Sequence, residues 1–305
     1  MIVRTKPTTL QLLFQMRGSV IPRIKWRIGG VVVLSFLAVA LQDGHWINAA
    51  PAAALPFSLI GIALSIFAGF RNSACYDRWW EGRKIWGQSL VDIRSLTRQA
   101  LVYGAHGDVA QARPIALRAV AFLYALRDRL RGDPLGPEAL ACLPEPEWDR
   151  LRAARNAPNL ILRAVSADIA IWLAQGRIEA QTAMTMEAQV IALSGTLAAS
   201  ERLRGTPIPF TYSLLLHRTA YLFCLLLPFG LVPAAGGWTP VAVAIVSYTF
   251  FGLDALGDEL EAPFGRGANG LPLDALARTA EISVREMLGD ANLPAEVAAV
   301  AEVLL

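Results

Sequence analysis

An all-α, polytopic membrane protein is the fold class this sequence predicts, and three observations predict it. Only 17% of its 305 residues are charged and 54% are hydrophobic, whereas an ordinary soluble domain is about a quarter charged. The charge is missing in blocks, each of a length comparable with the roughly 20 residues that span a bilayer. Apolar residues recur at helical spacing, and no segment sustains the alternation of a strand. The composition also excludes a disordered or collagen-like chain. It gives no case for a nucleic-acid partner, because the formal charge is only +3 and the Lys and Arg residues are interleaved with acids.

The elements follow in chain order. Residues 1–27 carry Arg4, Lys6, Arg17, Arg23, Lys25 and Arg27 and no acid, with Leu10, Leu13 and Phe14 among them. This suits a cytoplasmic helix lying on the membrane surface. The apolar run after it begins too late and lacks the small-residue cleavage site of a signal peptide. Ile28 to Gln42 is uncharged and apolar all round, a first span. Gly44 to Phe70 is again uncharged. Pro51 and Pro56 place the start of a second span near Pro56, and the arginines from Arg71 onward carry that helix into the cytosol, so 28–100 holds the first two membrane helices. Thr219 to Leu253 is uncharged over too great a length for one span, and Pro233, Gly236 and Gly237 supply a turn within it. The region 213–257 is therefore read as two spans, about 213–231 and 239–256.

The connections Asp43 to Pro56 and Pro233 to Pro240 lack Lys and Arg and so face outward, which leaves both termini cytoplasmic. Between Arg71 and Arg204 lie 18 basic and 14 acidic residues, the composition of a soluble body. Helices are expected over 71–103, 110–130, 145–156, 159–175 and 180–203, broken at Gly104, Gly132 to Pro137, Pro158 and Gly176. That body occupies 101–212. Residues 258–305 form cytosolic C-terminal helices, where Leu273, Leu276, Ala280, Val284 and Met287 mark one amphipathic face.

Few chemistries remain open. Cys75, Cys142 and Cys224 show no CxxC spacing, so neither a disulfide framework nor a zinc site is expected and the natural compartment is reducing. His45, His106 and His217 are far apart and lack clustered carboxylates. No metal, no cofactor and no catalytic constellation is predicted, and the chain does not read as an enzyme.

The most informative stretch is residues 57–87. Ile62, Ile66 and Phe70 form a bulky ridge on a helix, and Gly61, Ser65 and Gly69 form an adjoining small ridge that admits a close neighbour. The bulky ridge is either core packing or the lining of a conduit. Four spans without charge at membrane depth cannot enclose a conduit in one chain, but a symmetric ring of chains can. Asp77, seven residues beyond Phe70, either faces that conduit as an acidic ring or pairs with an arginine such as Arg78. Tyr76, Trp79, Trp80 and Trp86 either anchor the helix at the membrane interface or pack in the cytosolic body. His217 and Arg218, at the start of the third span, read as snorkelling groups.

FRNSACYDRWW (70–80), with Ile62, Ile66 and Phe70, resembles the pore helix of the bestrophin family, in particular its bacterial members. TPIPFTYSLLLHRTAYLFCLLLPFGLV (206–232) and SYTFFGLDALGDELEAPFG (247–265) continue the resemblance in family order, and it is weakest over 104–180. It implies a homopentameric ion channel with four membrane helices and a cytosolic helical body around a central pore, multi-pass in the bacterial inner membrane. Its partners would be further copies of itself, membrane lipids and monovalent ions. Ile62, Ile66 and Phe70 would form three stacked apolar rings, the neck. A second, cytosolic aperture would fall near Ile178 or Ala180.

Animal bestrophins bind calcium through an acid-rich run after the PFG turn. Here RGANGLPLD (266–274) follows, so calcium-independent activity is expected, and Asp258, Glu259 and Glu261 are read as salt-bridging the arginine-rich cytosolic body. The resemblance leaves the permeant ion open between chloride, passed by the best-known members, and a cation such as sodium for bacterial ones. A secondary transporter would show internal repeats and polar groups at the bilayer midplane, and none stands out. A membrane-anchored helical scaffold would leave the matched ridges without a reason.

Overall fold

The computed structural model describes residues 1–3, 8, 11, 15–16, 18–46 and 54–305. Leu10, Leu13 and Phe14 of the expected surface helix lie outside the described residues, as does Pro51. Among the described residues the chain is helical with no β-strand, only isolated bridges such as Ile2 to Val303. It divides into two compact units. An apolar unit comprises Arg4–Trp79 and Pro207–Ala262, and a charged unit comprises Met1–Val3, Trp80–Thr206 and Pro263–Leu305.

In the apolar unit α1 (Ile21–Asp43) starts with Pro22 in its first turn, where the missing N–H is no loss. Ser19 Oγ accepts the Ile21 N–H at 3.1 Å. The helix thus begins seven residues before the uncharged run, and Arg23, Lys25 and Arg27 belong to it instead of preceding it. α2 (Ala54–Gln99) is one helix of 46 residues, about 69 Å at 1.5 Å per residue, more than twice the hydrocarbon thickness. The second apolar run and the helix expected over 71–103 are one continuous helix. No proline interrupts 57–99, and the change at Phe70 and Arg71 is one of composition only.

After the intervening segments, Phe210–Ala235 and Thr239–Glu261 complete the apolar unit. Pro233 lies inside the former, and the turn belongs to Gly236 at φ 51° and the 3-10 turn Gly236–Trp238. α1 packs against both of these helices, and they pack against each other. Ile24, Val31, Leu64, Phe223, Leu227 and Phe251 meet in one apolar core.

The charged unit is built on α3 (Val109–Arg131), capped by the Asp108 carboxylate at the Ala110 N–H and closed by Gly132 at φ 78°. A π-helical turn, Ala100–Gly104, joins α2 to it. The short α4 (Pro137–Leu140) follows. The stretch 145–156 is not one helix: it holds a 3-10 turn and α5 (Trp148–Arg152), after which Asn156 caps α6 (Ala157–Ala174). α7 (Ala180–Gly205) packs on α6, and α3 packs on α6 and on the C-terminal helix Leu273–Met287. With the latter as α10, the two helices of the apolar unit, Phe210–Ala235 and Thr239–Glu261, are α8 and α9.

Among the described residues, five stretches are long and apolar enough to cross a membrane: 21–43, 57–104, 109–131, 157–174 and 210–261, the last holding two helices. α3 spends its apolar residues inside its own unit, where Ile115, Val120, Phe122, Leu123 and Leu126 are fully buried.

Candidate pore-lining face

α2 presents two opposite faces in the apolar unit. Leu64, Arg71 and Cys75 are buried on one. At 3.6 residues per turn, Ile62 and Ile66 fall roughly half a turn away, with Phe70 beside them. Ile62 is 60% exposed, Ile66 52% and Phe70 65%. The ridge is therefore not core of its own chain; lipid, another copy or an aqueous lumen must cover it. The adjoining small residues divide. A Cβ on Gly61 would stand 3.3 Å from the Phe223 ring, so this glycine admits a side chain of α8 and not a neighbouring backbone, while a Cβ on Gly69 would meet nothing within 4 Å. Ser65 Oγ donates to the Gly61 carbonyl at 2.8 Å, which satisfies its hydroxyl within the helix.

Asp77 is exposed two turns beyond Phe70. Tyr76 stacks on Trp79 at 6.3 Å, while Trp86 is wholly buried in the charged unit, so the aromatic set is not one interfacial belt. Ile178 is only 6% exposed, and Ala180, opening α7, is exposed.

Behind the ridge lies a polar network that the sequence reading missed. Arg71, 3% exposed, donates from Nη1 to Asp254 Oδ1 at 3.1 Å and to the Asp254 carbonyl at 3.2 Å, and from Nη2 to Asp258 Oδ1 at 2.5 Å, with Glu261 at 3.6 Å. His217 Nδ1 lies 2.8 Å from Asp254 Oδ2, and Arg27 reaches the same oxygen at 3.9 Å. Arg27 also sits over the Tyr221 ring at 5.3 Å. All four helices of the apolar unit thus converge on Asp254. His217 is a network member, not a snorkelling end.

Asp258 and Glu261 do form salt bridges, but with Arg71 inside the apolar unit, and Glu259 pairs with Arg23 at 3.2 Å. Arg71 is the first arginine of the arginine-rich stretch 71–204, whereas Arg23 lies on α1. Gly257 is required here, since a Cβ would lie 2.7 Å from Asn72 Oδ1 and 3.0 Å from Arg71 Nη1. The signal available was the spacing of Asp254, Asp258 and Glu261 along one helix face.

After the PFG turn the chain is held by Arg266, whose Nη2 lies 2.5 Å from Asp133 Oδ2, and by the Leu271 N–H donating to the Pro263 carbonyl at 2.7 Å. Among the described residues no group of three or more His, Cys, Asp or Glu is placed to hold a metal ion. Cys75, Cys142 and Cys224 are free and buried, and burial pushes the Cys142 thiol up to about 12.

The family model of the bacterial and fungal bestrophin proteins matches residues 1–286. A voltage-dependent anion channel-forming protein of Mesorhizobium japonicum is 42% identical, covering 97% of this chain and 96% of its own. A protein of the same description from Escherichia coli is 36% identical over 97% of both. The crystal structure of a bacterial bestrophin homologue from Klebsiella pneumoniae superposes with a TM-score of 0.83 at 37% identity, over 88% of this chain and all of that one. With separated sequence motifs, an all-helical architecture and near full-length matches in agreement, the chain belongs to the bacterial and fungal bestrophin family.

Proposed function

We propose that the chain forms an ion channel: five copies ring an axis, and α2 from each lines it with Ile62, Ile66 and Phe70. The exposure of that ridge, opposite the packed face of α2, carries the reading. Fifteen apolar side chains would make a tube without hydrogen-bonding partners for a hydrated ion, so conduction depends on a width that keeps it wet. α1, the first part of α2, α8 and α9 are the four membrane helices. α3 and α6 stay outside the membrane, because their apolar faces are already used within the charged unit. The bridge between Ile2 and Val303 supports placing both termini on one side of the membrane, and the arginines after Arg71 make that side the cytoplasm of a bacterial inner membrane.

The names of the relatives favour small anions as the permeant species. Calcium is not required in this reading, since Arg266 and Asp133 tie the segment where an acidic run would be needed. The aperture on the cytosolic side involves Ala180, with Ile178 behind it.

Reconstitution in planar bilayers with unequal salt tests the reading. The expected result is unitary current reversing toward the chloride potential. Reversal toward the cation potential would move selectivity to acidic rings such as one of Asp77, and absence of current would sink the channel. Ile66→Ala is expected to raise conductance with a stability change within about 0.5 kcal/mol. A ridge that faces lipid predicts unaltered current.

A further inference from the structure

In the charged unit, far in sequence from the α2 ridge, one cavity of about 290 Å³ gathers cations without matching acids. Arg129, Arg152, Arg155 and Arg204 border it, together with Asp128 and Asp133. Both acids are engaged elsewhere: Asp128 accepts from Arg127 Nε and from the Gly136 N–H, each at 2.8 Å, and Asp133 pairs with Arg266.

The arginines are held mainly by neutral groups. Arg204 Nη1 donates to the Arg129 carbonyl, and Arg129 Nη1 to the Arg155 carbonyl. Carbonyls fix a guanidinium in place but leave its charge uncancelled. Arg129 alone has a close carboxylate, Glu201 at 2.5 Å. Arg152 has Asp149 at 3.8 Å, itself fully exposed to water. Arg155 and Arg204 face no carboxylate within salt-bridge distance among the described residues.

Two backbone features add to this field. Ala157 and Pro158, the first turn of the 18-residue α6, line the cavity, so a positive helix end points the same way as the arginines. Gly132 turns at φ 78°, and a Cβ there would stand 3.3 Å from Arg204 Nη2. None of the large exposed apolar side chains lines the cavity. Its apolar lining is limited to short, half-buried or buried groups such as Pro134, Leu135 and Pro158, too little for an acyl chain to lie on, so a lipid headgroup is disfavoured. The volume sits near the lower end for ligand sites, about 300 Å³, too small for a large cofactor.

We propose that this cavity binds a small, water-soluble multivalent oxyanion of the phosphate class, held between Arg155, Arg204 and the start of α6. Guanidinium groups suit it because their paired donors match two oxygens of one phosphate.

The test is calorimetric titration of the purified full-length protein with inorganic pyrophosphate, against sodium chloride at matched ionic strength. Saturable heat specific to pyrophosphate is expected, with Arg155→Ala and Arg204→Ala each weakening it by about tenfold or more. Arg155→Lys keeps a point charge and recovers part of the loss. Arg163→Ala, exposed in the same unit but outside the cavity, leaves binding unchanged. Heat indistinguishable from that of chloride overturns the proposal, and so does pyrophosphate binding that persists at full affinity in R155A. Since the Arg155 side chain holds no ion pair, R155A keeps the test decisive even where R204A fails to fold.

Discussion

α1 of the apolar unit and α3 of the charged unit are both 23-residue helices, and they distribute their side chains in opposite ways. α3 buries Ile115, Phe122, Leu123 and Leu126 and turns Arg113 and Arg129 outward. α1 exposes Val33, Phe36 and Leu37 and buries Ser35, whose hydroxyl donates to the Val32 carbonyl at 2.6 Å. Hydropathy summed over a helix does not separate the two, since both are apolar enough to cross a bilayer. What separates them is where the apolar surface goes. In water its burial is the driving force; next to lipid that force is absent, and close packing and internal polar contacts hold the helices together.

Each unit also buries an arginine among several acids, and the two clusters can be compared. Arg71 meets Asp254, Asp258 and Glu261; Arg127 meets Asp128, Glu138 and Asp274, at 2.7, 3.2 and 2.9 Å. Removing a guanidinium leaves those acids to find other partners. Glu138 and Asp274 are partly exposed and Asp274 keeps Arg131, but each cluster also holds one carboxylate that is 6% exposed: Asp254, which keeps His217 and the more distant Arg27, and Asp128, which keeps the Gly136 N–H. Arg71→Ala and Arg127→Ala are therefore each expected to cost about 3–5 kcal/mol, read from thermal melting of detergent-purified protein. Pairing Arg71→Met with Asp254→Leu is expected to recover most of the Arg71 loss, since the buried carboxylate then leaves with its guanidinium and the acids that remain, Asp258 and Glu261, are more exposed. A loss at Arg127 well below that at Arg71 would mean that the Gly136 N–H alone suffices to hold Asp128.

The same contrast explains what could be read along the chain. Membrane spans are legible because absence of charge is a one-dimensional signal, and the Ile62, Ile66, Phe70 ridge is legible because a helix repeats every 3.6 residues. The Arg71 network is not, because Arg71 and Asp254 are 183 residues apart and each alone resembles an ordinary charge at the end of a span. The unbroken α2 is legible from the lack of proline after Pro56, and the change of composition at Arg71 leaves its backbone unaltered. α1 starts at Ile21, where Pro22 favours a first turn, a local signal masked by the onset of the uncharged run at Ile28. The aperture expected near Ile178 or Ala180 is only loosely placed because no distinctive spacing anchors it.

Glycines sharpen the comparison at smaller scale. A Cβ on Gly104 would stand 1.9 Å from the Trp172 ring in the charged unit, while one on Gly69 meets open space in the apolar unit. Gly104→Ala is expected to destabilise by about 1–3 kcal/mol through overpacking, and Gly69→Ala to leave the melting temperature of the isolated chain within error. A destabilising Gly69→Ala that also disrupts assembly on size-exclusion chromatography would place another copy's helix against that glycine.

The smallest effect lies on the water-facing side of the charged unit. Asp290 accepts hydrogen bonds from Arg113 and, at 3.2 Å, from Arg285. The bonds from Arg113 hold its carboxyl below the usual range, with partial burial acting weakly the other way. Because the folded value is depressed, the unfolded chain takes up the proton first. The stabilisation is complete above the unfolded carboxylate value of about 3.9 and disappears as pH falls through the folded one. Asp290→Asn should cost no more than about 1 kcal/mol at neutral pH, as for other surface pairs. In urea unfolding midpoints the gap between wild type and variant should hold steady down to about pH 5 and close below it. A gap that widens on acidification would mean the pair is not the source of Asp290's contribution.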